Sequence, residues 1–243
     1  ERNEEIKSLI IHLLSRLNPI GTFGFLIGIL KNAKSVFKAD ILLALGAYKD
    51  TNVIPYIKPF LDSKKAFEKA ASIIALWKYN EFDDNLVLHL DDMLKSKNKN
   101  ILEAAIFTVG ELKLKSKQSY CFQYLNSKDL RFQMISAVAL AKMGYMKSVE
   151  TIVDLLFLGR QEIRDELQRI IKKLPYKVRK SVEAELKQLV SARINKMLIK
   201  MKSRSLKHVG TKYLNYLKML YSLVDENEEV ESLNELLYSR KHS

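Results

Sequence analysis

Ala44-Leu45-Gly46-Ala47-Tyr48-Lys49 is followed by Ala75-Leu76-Trp77-Lys78-Tyr79-Asn80, Thr108-Val109-Gly110-Glu111-Leu112-Lys113 and Ala139-Leu140-Ala141-Lys142-Met143-Gly144. These four stretches decide the fold. Their third positions fall at 46, 77, 110 and 141, so the stretch recurs at steps of 31, 33 and 31. A fixed period of this length is the signature of stacked helix pairs, each of which buries its apolar face only against its neighbours. The stretches name no substrate and no reaction.

Working outward, each stretch closes a helix, and the pattern predicts these helices over 35–48, 65–78, 100–112 and 129–143. Leu42, Leu43 and Leu45 correspond to Ile73, Ile74 and Leu76, to Ile106, Phe107 and Val109, and to Ala137, Val138 and Leu140. An i, i+1, i+3 set of this kind makes an apolar face too wide for one partner, so each helix needs a neighbour on both sides. The small residues Ala44, Ala75, Thr108 and Ala139 then stand where helices must approach closely. Shorter intervening helices are expected over 53–61, 86–94, 120–125 and 149–156. Between them 49–52, 62–63, 97–100 and 126–129 supply caps and turn formers.

The composition agrees with an all-α fold. Of 243 residues 47% are hydrophobic, enough for a large core, while Gly 8 and Pro 4 are scarce. The longest apolar run, 23–30, is about half of what a membrane-spanning helix needs. The chain starts at Glu1 rather than Met, which leaves room for a removed signal peptide or an upstream domain. A single cysteine, Cys121, excludes an internal disulfide and fits a reducing compartment, so the expected localisation is cytoplasmic.

The four segments resemble HEAT repeats, in particular the short bacterial form. There an Ala-Leu-Gly-Lys-Ile-Gly-like end to the second helix precedes a Val-Pro-x-Leu-like start to the next first helix. Residues 139–144 match the former best and Val53-Ile54-Pro55-Tyr56-Ile57 the latter. The resemblance covers 35–175, with a degenerate extension back to Ile6. Trp77 departs from it by replacing the small third residue, and only the first repeat keeps the proline. It implies a right-handed α-solenoid of about five helix pairs that acts as a protein-interaction scaffold. It implies no activity, because repeat signatures specify packing.

This reading divides the chain into HEAT-like repeats over 1–175, with 1–34 as an N-terminal capping pair, and a basic helical extension over 176–243 packed on the solenoid. Gly24 and Gly28 are expected to let the capping helix pack closely on the next one. Beyond Pro175 a helix of unusual length is expected over 176–202, with Val178, Val182, Leu186, Leu189 and Val190 on its apolar side.

Charge is concentrated there. The chain carries a net charge of +13, and residues 172–218 hold 14 Lys and Arg against 2 Asp and Glu. The candidate binding residues are Lys177, Arg179, Lys180, Arg193, Lys196, Lys200, Lys202, Arg204 and Lys207, with Lys172 and Lys173 just before them. Arg193, Lys196 and Lys200 share one side of a helix. Lysines outnumber arginines, which suits diffuse attraction rather than bidentate recognition. The bland alternatives are a solvated polar face, or docking of these cations on acidic surface such as 225–231. Among partners an acidic protein ranks first, a nucleic acid second and an anionic membrane third. A further reading makes the chain a cytosolic module of a larger membrane-associated protein.

No constellation of residues points to an enzyme. His12, His89, His208 and His242 are scattered, so no metal site is expected, and no cofactor or small-molecule substrate is evident. His89-Leu90-Asp91 reads as helix surface and Asp83-Asp84 as a cap. Cys121 reads as a small buried residue. HEAT-like DNA glycosylases and phycobilin lyases share the scaffold, but their chemistry does not carry over to residues of this chain.

Overall fold

The computed structural model describes residues 10–11, 13–14, 22–32, 35–48, 50–79, 84–158 and 160–202. Among them the chain is all-helical, without a strand. The helices are α1 (Thr22–Asn32), α2 (Ser35–Leu45), α3 (Ile54–Ile57), α4 (Ala66–Lys78), α5 (Asp84–Leu94), α6 (Lys99–Glu111), α7 (Gln118–Leu125), α8 (Leu130–Lys142), α9 (Val149–Leu158), α10 (Gln161–Lys173) and α11 (Tyr176–Lys202). The chain forms two compact units, Glu1–Cys121 and Phe122–Ser243. The boundary between the units falls within α7, and α11 belongs to the second unit.

In the first unit α4 packs against α2 on one side and α6 on the other. That is why its residues 70–76 are buried without interruption, as a helix with two partners requires. Gly46 sets the α2 contact. A Cβ at that position would stand 2.6 Å from the Ala75 Cα, closer than any real Cβ approaches backbone. The Tyr79 hydroxyl donates to the Leu45 carbonyl at 2.7 Å, so the C-terminal ends of α2 and α4 lie together. Ala44, Ala75, Thr108 and Ala139 are all buried, as their size requires.

The turns repeat as closely as the helices. Ser63, Ser96 and Ser127 each accept, through the side-chain oxygen, the backbone N–H two residues on, at 3.1 Å in every case. Their steps, 33 and 31, are those of the third motif positions from 77 to 141. Asn98 and Asp129 then cap α6 and α8 by accepting from the N–H groups of Asn100 and Arg131. At the other end Lys113 and Gly144 adopt positive φ, 53° and 92°. Leu114 and Tyr145 donate to the carbonyls of Val109 and Leu140, closing two Schellman-type ends one period apart. A 3₁₀ turn follows each, Lys115–Lys117 and Met146–Ser148.

Three expectations change. The first helix expected over 53–61 is broken into a 3₁₀ turn Thr51–Val53, the four-residue α3 and a 3₁₀ turn Lys58–Asp62. Pro55 and Pro59 have no N–H to give, and Pro59 removes the bond that would have continued α3. Gly24 and Gly28 do not make a close helix contact: both are exposed, and an added Cβ would meet nothing within 4 Å. Open space, not a tight seam, lies beside these two positions of α1. Finally α10 was not anticipated, although Ile163, Leu167, Ile170 and Ile171 follow the helical period. Much of the N-terminal capping pair expected over 1–34, including 15–21, lies outside the described residues.

In the second unit α9 packs against α8, α10 and α11, and α11 also touches α8. Val182, Leu186 and Val190 of α11 close a core with Met134, Val153, Leu167 and Ile171, while Val178 and Leu189 pack at its edge. Ser148 donates to the Ala137 carbonyl at 3.0 Å, which ties the 3₁₀ turn before α9 to α8.

Candidate functional site

The basic residues are positioned by the joint between α10 and α11. Helix α10 ends with Lys172 and Lys173, cations favoured beside the negative end of a helix dipole. Leu174 precedes a proline and is extended, with φ −60° and ψ 146°, and its side chain is buried. Helix α11 starts at once, with the Arg179 N–H donating to the Pro175 carbonyl at 2.9 Å. Its first turn contains no acidic residue. The corner is thus anchored by Leu174 inside and lined by charge outside.

Tyr176 stands at this corner with 66% of its surface exposed. The Arg179 guanidinium and the Lys180 ammonium lie 5.9 Å from its ring centre. Arg179 is half-buried, with Nε 3.5 Å from the Glu183 carboxylate one turn on. Lys172, Lys173, Lys177 and Lys180 are exposed, and among the described residues none of them makes an ion pair.

The register of α11 divides the sequence candidates in two. At about 100° per residue, positions 7, 11 and 18 apart return to nearly the same side. Arg193 follows Val182 by 11 and so returns to the side of the helix on which Val182 stands. It is the side that carries the core residues. Arg193 accordingly pairs with Asp154 of α9, its Nη2 at 2.5 Å from the carboxylate. Lys177 and Lys180 lie on the opposite side, with Lys187 in register with Lys180. Lys196, Lys200 and Lys202 are described as helix only, and Arg204 and Lys207 lie outside the described residues, as does 225–231.

Elsewhere the polar groups are engaged in structure. Asp91 accepts from Lys117 at 2.5 Å, and His89 is half-buried on α5. Asp84 opens α5, while Asp83 lies outside the described residues. Burial pushes the Cys121 thiol from 9.0 up to about 12, so little thiolate exists at neutral pH. Among the described residues no three His, Cys, Asp or Glu side chains stand close enough to hold a metal. No helix of the described residues is long and apolar enough to cross a membrane.

No protein-family model matches this chain, and no curated protein matches it in sequence.

Proposed function

We propose that the chain is a scaffold of stacked HEAT-like helix pairs that binds another protein. The observation that carries this reading is the recurrence of whole turn geometries with the sequence period. The same serine-capped entry recurs at 63, 96 and 127, and the same left-handed exit at 113 and 144. Chains that repeat local structure in this way expose one stretch of surface per unit, and partners bind across several units. Exposed aromatics supply anchors for such a partner. In the second unit Phe122 and Tyr145 pack edge to face with ring centres 4.8 Å apart, and both remain more than a third exposed. Aromatic side chains of this kind dominate interface energetics.

The test is affinity capture on the tagged chain, followed by reconstitution of the recovered protein with the purified chain. A stoichiometric complex that weakens at least tenfold in Phe122→Ala/Tyr145→Ala supports the scaffold. Failure to reconstitute any complex, or a complex indifferent to those changes and to charge reversal at Lys196 and Lys200, removes it.

A further inference from the structure

The geometry points to the α10–α11 corner, with the outward face of α11, as a binding site for the phosphate backbone of a nucleic-acid strand, read without sequence preference. This activity is separate from the scaffold reading and stands or falls without it.

Charge is the first observation. Residues 172–180 contain five Lys and Arg and no acid. Four of those cations, Lys172, Lys173, Lys177 and Lys180, are exposed and make no ion pair among the described residues. Of the two acids of α11, Glu185 borders this face beside Ala192, seven residues on, and Glu183 lies farther round. Glu183 is already engaged by Arg179. Helix α11 has 27 residues and is about 40 Å long, so this face extends well beyond the corner.

The character of the surface between the cations chooses the ligand. Ser181, Ala184, Gln188 and Ala192 are exposed there, and none is a large apolar side chain. A docked acidic protein segment would need apolar anchors at the centre of its interface, where lysine is depleted. Charge with no aliphatic anchor and a single exposed tyrosine beside it suits a polyanion whose affinity comes from released counterions. Lysine ammonium groups act on phosphate as point charges and carry no base preference. The one aromatic present, Tyr176, is exposed beside the lysines, where a strand would pass, and every base has a face to stack on it.

The corner is also built in advance. Leu174 is buried in the core with Leu167 and Ile171, and Val182 and Leu186 hold the first turns of α11. The backbone that carries the cations is therefore held in place, and binding has less backbone order to impose.

The experiment uses the full chain and a fluorescein-labelled single-stranded DNA of mixed sequence, about 20 nucleotides long, followed by anisotropy. Four lysine contacts predict a salt slope near −3, so affinity should fall about 50-fold between about 50 and about 200 mM salt. Lys172→Gln/Lys173→Gln/Lys177→Gln/Lys180→Gln should weaken binding at least tenfold at the lower salt and flatten the slope. Tyr176→Ala, a change at an exposed site, should weaken it about tenfold on its own. A thermal melt of each variant shows that it is folded. No binding at about 50 mM salt overturns the assignment, as does affinity retained in the fourfold lysine variant. Displacement of the strand by poly-glutamate as effectively as by unlabelled DNA overturns it too, and gives the corner to an acidic protein.

Discussion

Helices α4 and α11 use the same kinds of residue in opposite ways. Helix α4 has 13 residues, is buried without interruption over 70–76 and has neighbours on both sides. Helix α11 has 27, buries one stripe through Val182, Leu186 and Val190, and leaves the other side to lysines. In α4 nearly every position is constrained by volume, so a small residue there reports packing and nothing else. In α11 the stripe is constrained, and exposed positions such as Lys177, Lys180, Ser181 and Gln188 can carry a binding surface. Residue type alone does not separate structure from function in this protein; the number of sides a helix has covered does.

The comparison can be broken at the cores of the two helices. Ile73→Ala in α4 and Leu186→Ala in α11 should each cost about 2–5 kcal/mol, read as a lowered urea midpoint. Ile73 should stand at the upper end, because neighbours on both sides prevent the cavity from collapsing. Equal losses would mean that α11 is held as tightly as α4.

A smaller effect comes from the close approach of α2 and α4. Gly46→Ala drives a methyl into the Ala75 backbone and should cost about 1–3 kcal/mol in the same measurement. A neutral result would show that the two helices slide apart freely.

The turns give smaller effects of both signs. Gly144→Ala should destabilise by about 1–2 kcal/mol, because φ of 92° is strained for any residue with a Cβ. Lys113→Gly, at the equivalent position with φ of 53°, should stabilise by a few tenths to about 1 kcal/mol. Thermal melts of the two variants should shift in opposite directions.

Two tyrosines one period apart sharpen the comparison within the repeat. Tyr79→Phe loses the bond to the Leu45 carbonyl and should cost about 0.5–1 kcal/mol, since that carbonyl keeps the Tyr48 N–H as a donor. Tyr48→Phe should be neutral or slightly stabilising, because its buried hydroxyl has no partner among the described residues. Burial, with Asp50 nearby, pushes the Tyr79 hydroxyl from 10.0 up to about 12. Both this group and Cys121 are held neutral by the fold, so their contribution is complete below about pH 9. It declines as pH rises towards about 12, and a urea midpoint that falls over that window checks it. The smallest effect belongs to Lys177→Gln, which should leave stability within about 0.5 kcal/mol while it weakens DNA binding.

The sequence by itself determined the helical class, the period, the start of α11 and the face of it that turns inward. It could do so because volume and hydrophobic period are local properties, and Val182, Leu186 and Val190 carry them whatever they touch. The broken first helix was half legible: Pro55 was noted, but the effect of Pro59 on the turn after it was not. Helix α10 was legible in Ile163, Leu167, Ile170 and Ile171, yet its charged surface hid the pattern. Tertiary structure alone decided which cations are spoken for. By spacing Arg193 belongs to one basic row with Lys196 and Lys200, but it stands on the core-facing side, and Asp154, on a different helix, takes its charge. Ion pairs of that kind join residues far apart in the chain, so no local pattern announces them. The lysines around Tyr176, which make no ion pair among the described residues, are where the candidate site stands.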